Sequence, residues 1–132
     1  MKNIKKYLSV LCVLCFAPCA LSANEFIDKN TAVIRIMNKA AGRARSITIP
    51  VGRKTEFEKL EILIRSCKST APFAAQDNFM FIEIAKKSVA GRDSGNNAAN
   101  ATQIFSGWMI ASAPGDNPLQ DAEYDLWLVE CE

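Results

Sequence analysis

Residues 32–51, AVIRIMNKAAGRARSITIPV, decide the fold of this chain. Apolar residues recur at every second position on both sides of residues 38–42, which supply turn residues. The alternating positions are Ile34 and Ile36 before the turn and Ile47, Ile49 and Val51 after it. A period of two indicates a strand with one buried face, and two such runs around a short turn predict a β-hairpin that ends at Pro50 and Gly52.

Further strands follow the hairpin. Leu60, Ile62 and Ile64 continue the period of two in a third strand, which carries Cys67 at its end. Residues 79–84 (FMFIEI) are apolar on both faces, which is typical of a central strand covered on each side. Strands are also predicted within 104–112 and 124–131. Six or seven short strands without a sustained helical period predict an all-β sandwich or small barrel.

The domain organisation is simple. Residues 24–132 form a single all-β domain of a length that buries one modest core. Residues 86–102 interrupt the strand pattern with a polar run rich in Gly, Asn and Ala. We predict a flexible loop there that tolerates change.

The N-terminus has the pattern of a secretory signal peptide, which we assign to residues 1–23. Three lysines precede an apolar run at 7–17, which is shorter than the ~20 residues that span a bilayer. Small residues then allow cleavage after Ser22 or Ala23. We expect a periplasmic or secreted protein without stable membrane insertion once the signal is removed.

The charge balance changes when the signal is removed. The full chain has a net charge of +2, but removing Lys2, Lys5 and Lys6 from 16 bases leaves 13 against 14 acids, a net charge of −1. A nucleic-acid partner is therefore not expected, because it requires a clustered basic surface. All remaining lysines and arginines lie between Lys29 and Arg92, and every charged residue in 93–132 is an acid. We expect intermixed strands to cancel this asymmetry.

Two of the five cysteines, Cys67 and Cys131, lie beyond the signal. Two cysteines in an oxidising compartment predict one disulfide. Their spacing does not match a redox CxxC motif, and two thiols without histidine do not complete an ordinary zinc site.

The chain contains no histidine, which excludes Ser-His and Cys-His nucleophiles and histidine-based acid-base catalysis. Asp121, Glu123 and Asp125 recur at a spacing of two and share one face if extended. They are either a charged, solvated strand edge or a set of paired carboxylates. No catalytic residue, metal ligand or cofactor is predicted.

The two tryptophans lie in predicted strands. Trp108 follows Gly107, and a glycine within a strand marks a bulge or a close backbone approach. Trp108 is therefore either a platform for a ligand or part of the core. Trp127, between Leu126 and Leu128, is predicted to lie in the core.

Several segments resemble one bacterial family. The segments FSGWMIASAPGDNPL and YDLWLVEC, with the earlier TAVIRIMNKAAGR, IPVG and LEILIRSCK, resemble the secreted bacterial domain of unknown function DUF2155. The resemblance extends from Thr31 to Cys131. It implies secretion and the positions of the two cysteines, and it supplies no reaction.

These observations favour a non-enzymatic envelope module that binds a protein or a cell-wall component in the periplasm. The predicted surface is the turn at 113–118, where two prolines restrict the backbone, with adjoining polar and aromatic residues. A small carboxylate- or metal-dependent enzyme using acids at 116–125, and a carrier of lipid or another small ligand, are the alternatives. The candidate binding residues are Ser106, Trp108, Pro114, Asp116, Asn117 and Tyr124.

Overall fold

The computed structural model describes residues 25–87 and 101–132, which form two antiparallel β-sheets. These residues contain eight strands: β1 Phe26–Asp28, β2 Thr31–Asn38, β3 Arg43–Pro50, β4 Lys54–Phe57, β5 Leu60–Thr70, β6 Asn78–Lys87, β7 Ala101–Ile110 and β8 Tyr124–Cys131. The sequence predicted six or seven. It missed β1 and β4, which have three and four residues and are too short to show a period of two. The predicted signal peptide and most of the predicted loop lie outside the described residues.

The sheets pack face to face, which makes the fold a sandwich. In the larger sheet the order is β1-β5-β6-β7, and β4 also pairs with β5. In the smaller sheet the order is β3-β2-β8. The predicted hairpin is confirmed, because β2 pairs with β3 from Thr31 opposite Pro50 to Asn38 opposite Arg43. The part of the chain that the structure describes contains no helix long and apolar enough to cross a bilayer.

The core lies between the inner faces of the two sheets. Its residues are mainly aliphatic, and they alternate along each strand as the period of two predicts. The central position of residues 79–84 is confirmed, since β6 lies between β5 and β7. The expectation of cover on both faces was wrong: Met80, Ile82 and Ile84 are buried, whereas Phe79 and Phe81 point outward and are only partly buried.

Both cysteines reach the core because a bulge precedes each of them. In β5 the pairing skips Arg65, and in β8 it skips Val129. Each extra residue reverses the alternation, so Cys67 and Cys131 point inward three residues after the last buried aliphatic residue. The predicted disulfide is present between them, with a Cα–Cα distance of 5.7 Å, and it joins the larger sheet to the smaller one.

Candidate functional site

The outer face of the larger sheet carries a group of apolar side chains, which we call the outer-face patch. Pairing across β5, β6 and β7 aligns Lys68 with Phe79 and Ile110 in one row, and Ser66 with Phe81 and Trp108 in the next. Directly paired residues share a face, so these side chains lie side by side on the surface. Phe26 of β1 joins them by packing against Phe79. The patch consists of Phe26, Phe79, Phe81, Trp108 and Ile110.

Two edge-to-face aromatic pairs order the patch. The ring centroids of Phe81 and Trp108 lie 5.5 Å apart, and those of Phe26 and Phe79 lie 5.3 Å apart. This arrangement is favourable for aromatic rings and restricts their rotation. Trp108 is 43% exposed and Phe26 45% exposed. The patch is therefore an ordered aromatic surface that remains open to solvent.

The charged groups around the patch compensate one another. Lys68 binds Asp28 at 2.5 Å, and Arg65 binds Glu83 at 3.0 Å. The first pair follows from strand register, because Asp28 lies opposite Lys68. The second involves Arg65, which is the extra residue at the bulge in β5. The patch and its surroundings thus present apolar surface with balanced charge.

The residues that the sequence grouped as a binding surface lie on β7, in the turn at 113–118 and at the start of β8. Ser106 and Trp108 lie on the outer face, where Ser106 is opposite Glu83 and Trp108 is opposite Phe81. Pro114 and Asp116 are exposed in the turn at 113–118. Pro114 also lines a hollow together with Trp127 of β8, which is a different surface from the outer-face patch.

Asn117 links the turn to β7. Its side-chain amide donates a hydrogen bond to the backbone carbonyl of Trp108 at 3.0 Å. It also lies against Gly107, where an added Cβ would come within 2.6 Å of the amide nitrogen. The prediction of a close backbone approach at Gly107 is confirmed, and Asn117 holds the turn against the edge of the Trp108 strand.

Tyr124 lies in neither surface. It is 1% exposed, so the interpretation of Tyr124 as part of a binding surface was wrong. Its hydroxyl donates a hydrogen bond to Glu58 Oε2 at 2.8 Å. Burial is the main cause, and the carboxylate of Glu58 the second, of a rise in the pKa of Tyr124 to about 12. The carboxylate also accepts from the amide of Asn38 at 2.9 Å.

The acids of the predicted carboxylate set bind lysines from distant parts of the chain. Lys86 binds Asp121 at 3.0 Å and Glu123 at 2.6 Å, and Lys59 binds Glu123 at 2.8 Å. Asp125 binds Lys39 at 2.8 Å. The expected cancellation of charge between the basic and acidic stretches is thus present at this end of the sandwich. We call Glu58, Lys59, Lys86, Asp121, Glu123 and Tyr124 the polar end.

The pKa shifts at the polar end favour charged carboxylates. Burial raises the pKa of Asp121, but hydrogen bonds from Lys86 and from two backbone N–H groups outweigh it and lower the pKa overall. Hydrogen bonds from Lys59 and then Lys86 lower the pKa of Glu123. A general acid at neutral pH requires a raised pKa, so these shifts do not support acid catalysis here. Within 25–87 and 101–132, no three acidic or cysteine side chains are placed to hold a metal ion.

The structure corrects the prediction for Trp127 and rules out one of the two interpretations of Trp108. Trp127 was predicted in the core, but it points outward from β8 opposite Arg35 and is partly exposed. Trp108 had two open interpretations, and its exposure rules out the core. Leu126 and Leu128 occupy the inward positions on either side of Trp127. Alternation along residues 124–128 (YDLWL), before the bulge, therefore assigns Trp127 to the outer face once its neighbours are assigned to the core.

Phe26, Phe79 and Phe81 were missed as surface residues. The sequence contained a signal for two of them. Phe79 and Phe81 alternate with Met80, Ile82 and Ile84, so the two phenylalanines lie on the opposite face of the strand. Nothing in the sequence indicated that this second face lacks a covering layer. Phe26 lies in a three-residue strand that carries no detectable period.

Comparison with known proteins gives one match. A family model described as an uncharacterized protein conserved in bacteria, DUF2155, matches residues 32–131. No curated protein and no solved structure matches the chain. The match covers β3 to β8 and all of β2 except Thr31.

Proposed function

The chain belongs to the DUF2155 family of uncharacterised bacterial proteins, and we propose that it is an exported, non-enzymatic module that binds a partner protein through the outer-face patch. The observation that carries this proposal is the exposure of Trp108 within an ordered aromatic cluster. Exposed apolar clusters rimmed by polar groups are typical of protein interaction sites.

The patch has the composition of an interface centre. Tryptophan is enriched among the residues that contribute most to binding, and aromatic side chains lose little conformational entropy when their rings are already ordered. Trp108 and Phe81 are held by their edge-to-face contact, and Asn117 binds the backbone of the Trp108 strand. The cost of ordering this surface on binding is therefore small.

The charges favour a protein partner with an apolar surface. Anionic lipid headgroups and nucleic acids bind uncompensated Lys and Arg side chains. Around the patch, Arg65 and Lys68 are paired with Glu83 and Asp28. A partner that covers the patch meets apolar groups at the centre and balanced charge at the rim, which is the usual anatomy of a protein interface.

Export is part of the same proposal. The pattern of residues 1–23 supports a cleaved signal peptide, and the Cys67–Cys131 disulfide is consistent with an oxidising compartment. The partner is then a periplasmic or envelope protein.

The test compares three forms of the exported protein. A photoreactive amino acid at position 106, next to the patch, is introduced into the wild-type chain, into Trp108→Ala and into Val129→Ala. Val129 is a matched control, because it is a 41% exposed hydrophobic residue of the smaller sheet. Irradiation of cells is followed by identification of crosslinked proteins by mass spectrometry.

We expect wild type and Val129→Ala to crosslink the same envelope protein, and Trp108→Ala to lower the yield about tenfold or more, as loss of a central tryptophan does at protein interfaces. Purified partner and module should then show the same ranking of affinities. Equal yields from all three forms would remove the patch as the binding surface. Cosedimentation with purified cell wall that depends on Trp108, without a protein crosslink, would replace the protein partner with a wall component.

A further inference from the structure

We propose that the edge of β3 is a second binding site, which takes an extended acidic segment of a partner polypeptide as an additional antiparallel strand. β3 belongs to the smaller sheet, whereas the outer-face patch lies on the larger one. The two sites are therefore distinct.

β3 is an edge strand with an unpaired backbone. Within residues 25–87 and 101–132 its one neighbour is β2, and no further backbone–backbone hydrogen bond reaches residues 43–50. Alternate residues of an edge strand direct their N–H and C=O groups away from the sheet. Pro50 has no N–H and ends this row. Residues 43–49 thus offer hydrogen-bonding groups to an added strand, which is a common mode of peptide recognition.

The first half of β3 extends beyond the core. Residues 43–46 and Thr48 are exposed, so neither face of this half is covered by the described part of the chain. Ile47 is partly buried against the core, and Ile49 is fully buried. An added strand can therefore lie beside residues 43–48 without displacing other elements.

The hairpin of β2 and β3 is strongly basic. Residues 29–55 contain seven lysines and arginines and no acid. Four exposed arginines of this stretch form no ion pair in the part of the chain that the structure describes: Arg35, Arg43, Arg45 and Arg53. The cancellation of charge at the polar end is thus absent here. An acidic partner is the complement of this edge.

Two of these arginines lie on the unpaired strand itself. Arg43 and Arg45 are two residues apart and share a face of β3. Two copies of the chain that paired through β3 would bring four arginines and no acid together, and like charges across a strand pair are destabilising. Anionic lipid headgroups or nucleic acids would bind the arginines but leave the backbone groups unpaired. The edge and its charge together favour an acidic polypeptide strand.

The register of an added antiparallel strand determines the probe peptide. Acetyl-Thr-Val-Thr-Glu-Thr-Glu-amide, aligned with residues 48 to 43, places its Val opposite Ile47 and its two Glu residues opposite Arg45 and Arg43. The charge control replaces both Glu residues with Lys. Two further versions of the Glu peptide carry N-methyl groups at residues 1, 3 and 5 or at residues 2, 4 and 6. Each version blocks hydrogen bonding along one edge of the extended peptide and leaves the other edge intact.

The backbone amide signals of the nitrogen-15-labelled protein report binding. We expect the Glu peptide to shift the signals of residues 43–48 in a saturable manner, and the Lys peptide to bind about tenfold more weakly because two attractive pairs become repulsive. One of the two N-methylated peptides should bind and the other should not.

A pair of variants tests the contribution of the arginines. Arg45→Gln should weaken binding of the Glu peptide about two- to fivefold, as the loss of one exposed ion pair does. Arg53→Gln is the matched control, because it removes an exposed arginine that lies beyond the end of β3. It should leave the affinity unchanged.

Equal affinity for the Glu and Lys peptides, equal binding of the two N-methylated peptides, or no saturable shift at any soluble peptide concentration would each overturn this site. Shifts of the same amide signals with protein concentration alone would overturn it in favour of a second copy of the chain. Cosedimentation with phosphatidylglycerol vesicles that depends on Arg45, without a saturable shift by the peptide, would overturn it in favour of a lipid surface. Crosslinking from position 106 is a separate result, because that position lies on the larger sheet.

Discussion

The two ends of the sandwich join the same pair of sheets in different ways. At the disulfide end, Cys67 of β5 is bonded to Cys131 at the last position of β8. At the polar end, Tyr124 at the first position of β8 donates to Glu58, and Lys86 of β6 binds Asp121 and Glu123 just before that strand. One strand is thus fixed by a covalent bond at one terminus and by hydrogen bonds and ion pairs at the other.

The difference shows which conditions each end tolerates. The disulfide acts mainly by restricting the unfolded chain, and its contribution does not depend on the protonation of side chains. The polar end depends on a protonated tyrosine, charged lysines and charged carboxylates, and therefore on pH. The following predictions, in order of decreasing effect on stability, separate the two contributions.

Loss of the disulfide should have the largest effect. Replacement of both Cys67 and Cys131 by Ala should lower the free energy of unfolding by about 4 kcal/mol, because the bond closes a loop over a separation of 64 residues. Urea unfolding measures the change, and Cys131→Ser should show a loss of similar size. Detection of two free thiols in the purified wild-type protein by mass spectrometry would contradict the disulfide. An unchanged unfolding midpoint in the double variant would show that the disulfide does not contribute measurably to stability.

Tyr124→Phe should have the next largest effect. It removes the hydrogen bond to Glu58 and leaves the ring in the core, so we expect a loss of about 2 kcal/mol. The same unfolding measurement applies. A loss below a few tenths of a kcal/mol would show that the polar end contributes little to holding β8.

The pKa of Tyr124 offers a direct measure of the polar end. A protein that begins at Asn24 contains a single tyrosine, because Tyr7 precedes that residue, and its ultraviolet absorbance therefore reports one group. We expect half-ionisation at about pH 12 rather than at 10.0, and a lower pKa in Glu58→Gln because the neighbouring charge is removed. Circular dichroism at each pH shows whether the chain remains folded. Half-ionisation near 10 in a folded protein would contradict burial of the hydroxyl.

The pKa shifts of Tyr124 and of the nearby carboxylates determine how the stability of the folded protein changes with pH. The folded-state pKa of Tyr124 is raised, so its contribution is complete below pH 10 and is lost as the pH rises toward about 12. The pKa values of Asp121 and Glu123 are lowered, so their contributions are present above the ordinary values of 3.8 and 4.5 and are lost as the pH falls below them. Asp77, near the disulfide end, adds to the acid loss because its pKa is also lowered. The melting temperature should therefore fall at both acidic and alkaline pH. Tyr124→Phe should reduce the fall at alkaline pH and leave the fall at acidic pH unchanged.

The smallest effect concerns the backbone at Glu58. This residue has a φ of 51°, a left-handed conformation that costs a non-glycine residue about 1 kcal/mol. Glu58→Ala and Glu58→Gly both lose the bond to Tyr124, but only Gly relieves the strain. We expect Glu58→Gly to be more stable than Glu58→Ala by about 1 kcal/mol. Equal stabilities would show that the left-handed conformation carries no measurable cost.

The sequence predicted the fold class more fully than the surfaces. Alternation in residues 32–51 and 124–131 is a local property, and it located the hairpin and the last strand correctly. The exposure of a side chain, by contrast, depends on which other parts of the chain cover its strand. Trp108 and Phe81 lie on an uncovered outer face and Tyr124 lies under the polar end, and these differences arise from residues far away in the chain.

Composition and spacing alone established an all-β chain, a pair of cysteines suited to one disulfide and an absence of histidine chemistry, because these follow from residue type and a period of two. Only the tertiary structure decided that bulges at Arg65 and Val129 turn both cysteines inward, and that Lys59 and Lys86 meet Asp121 and Glu123. The physical reason is that register and sheet order bring together groups separated by tens of residues, and the local pattern of apolar residues carries no information about those encounters.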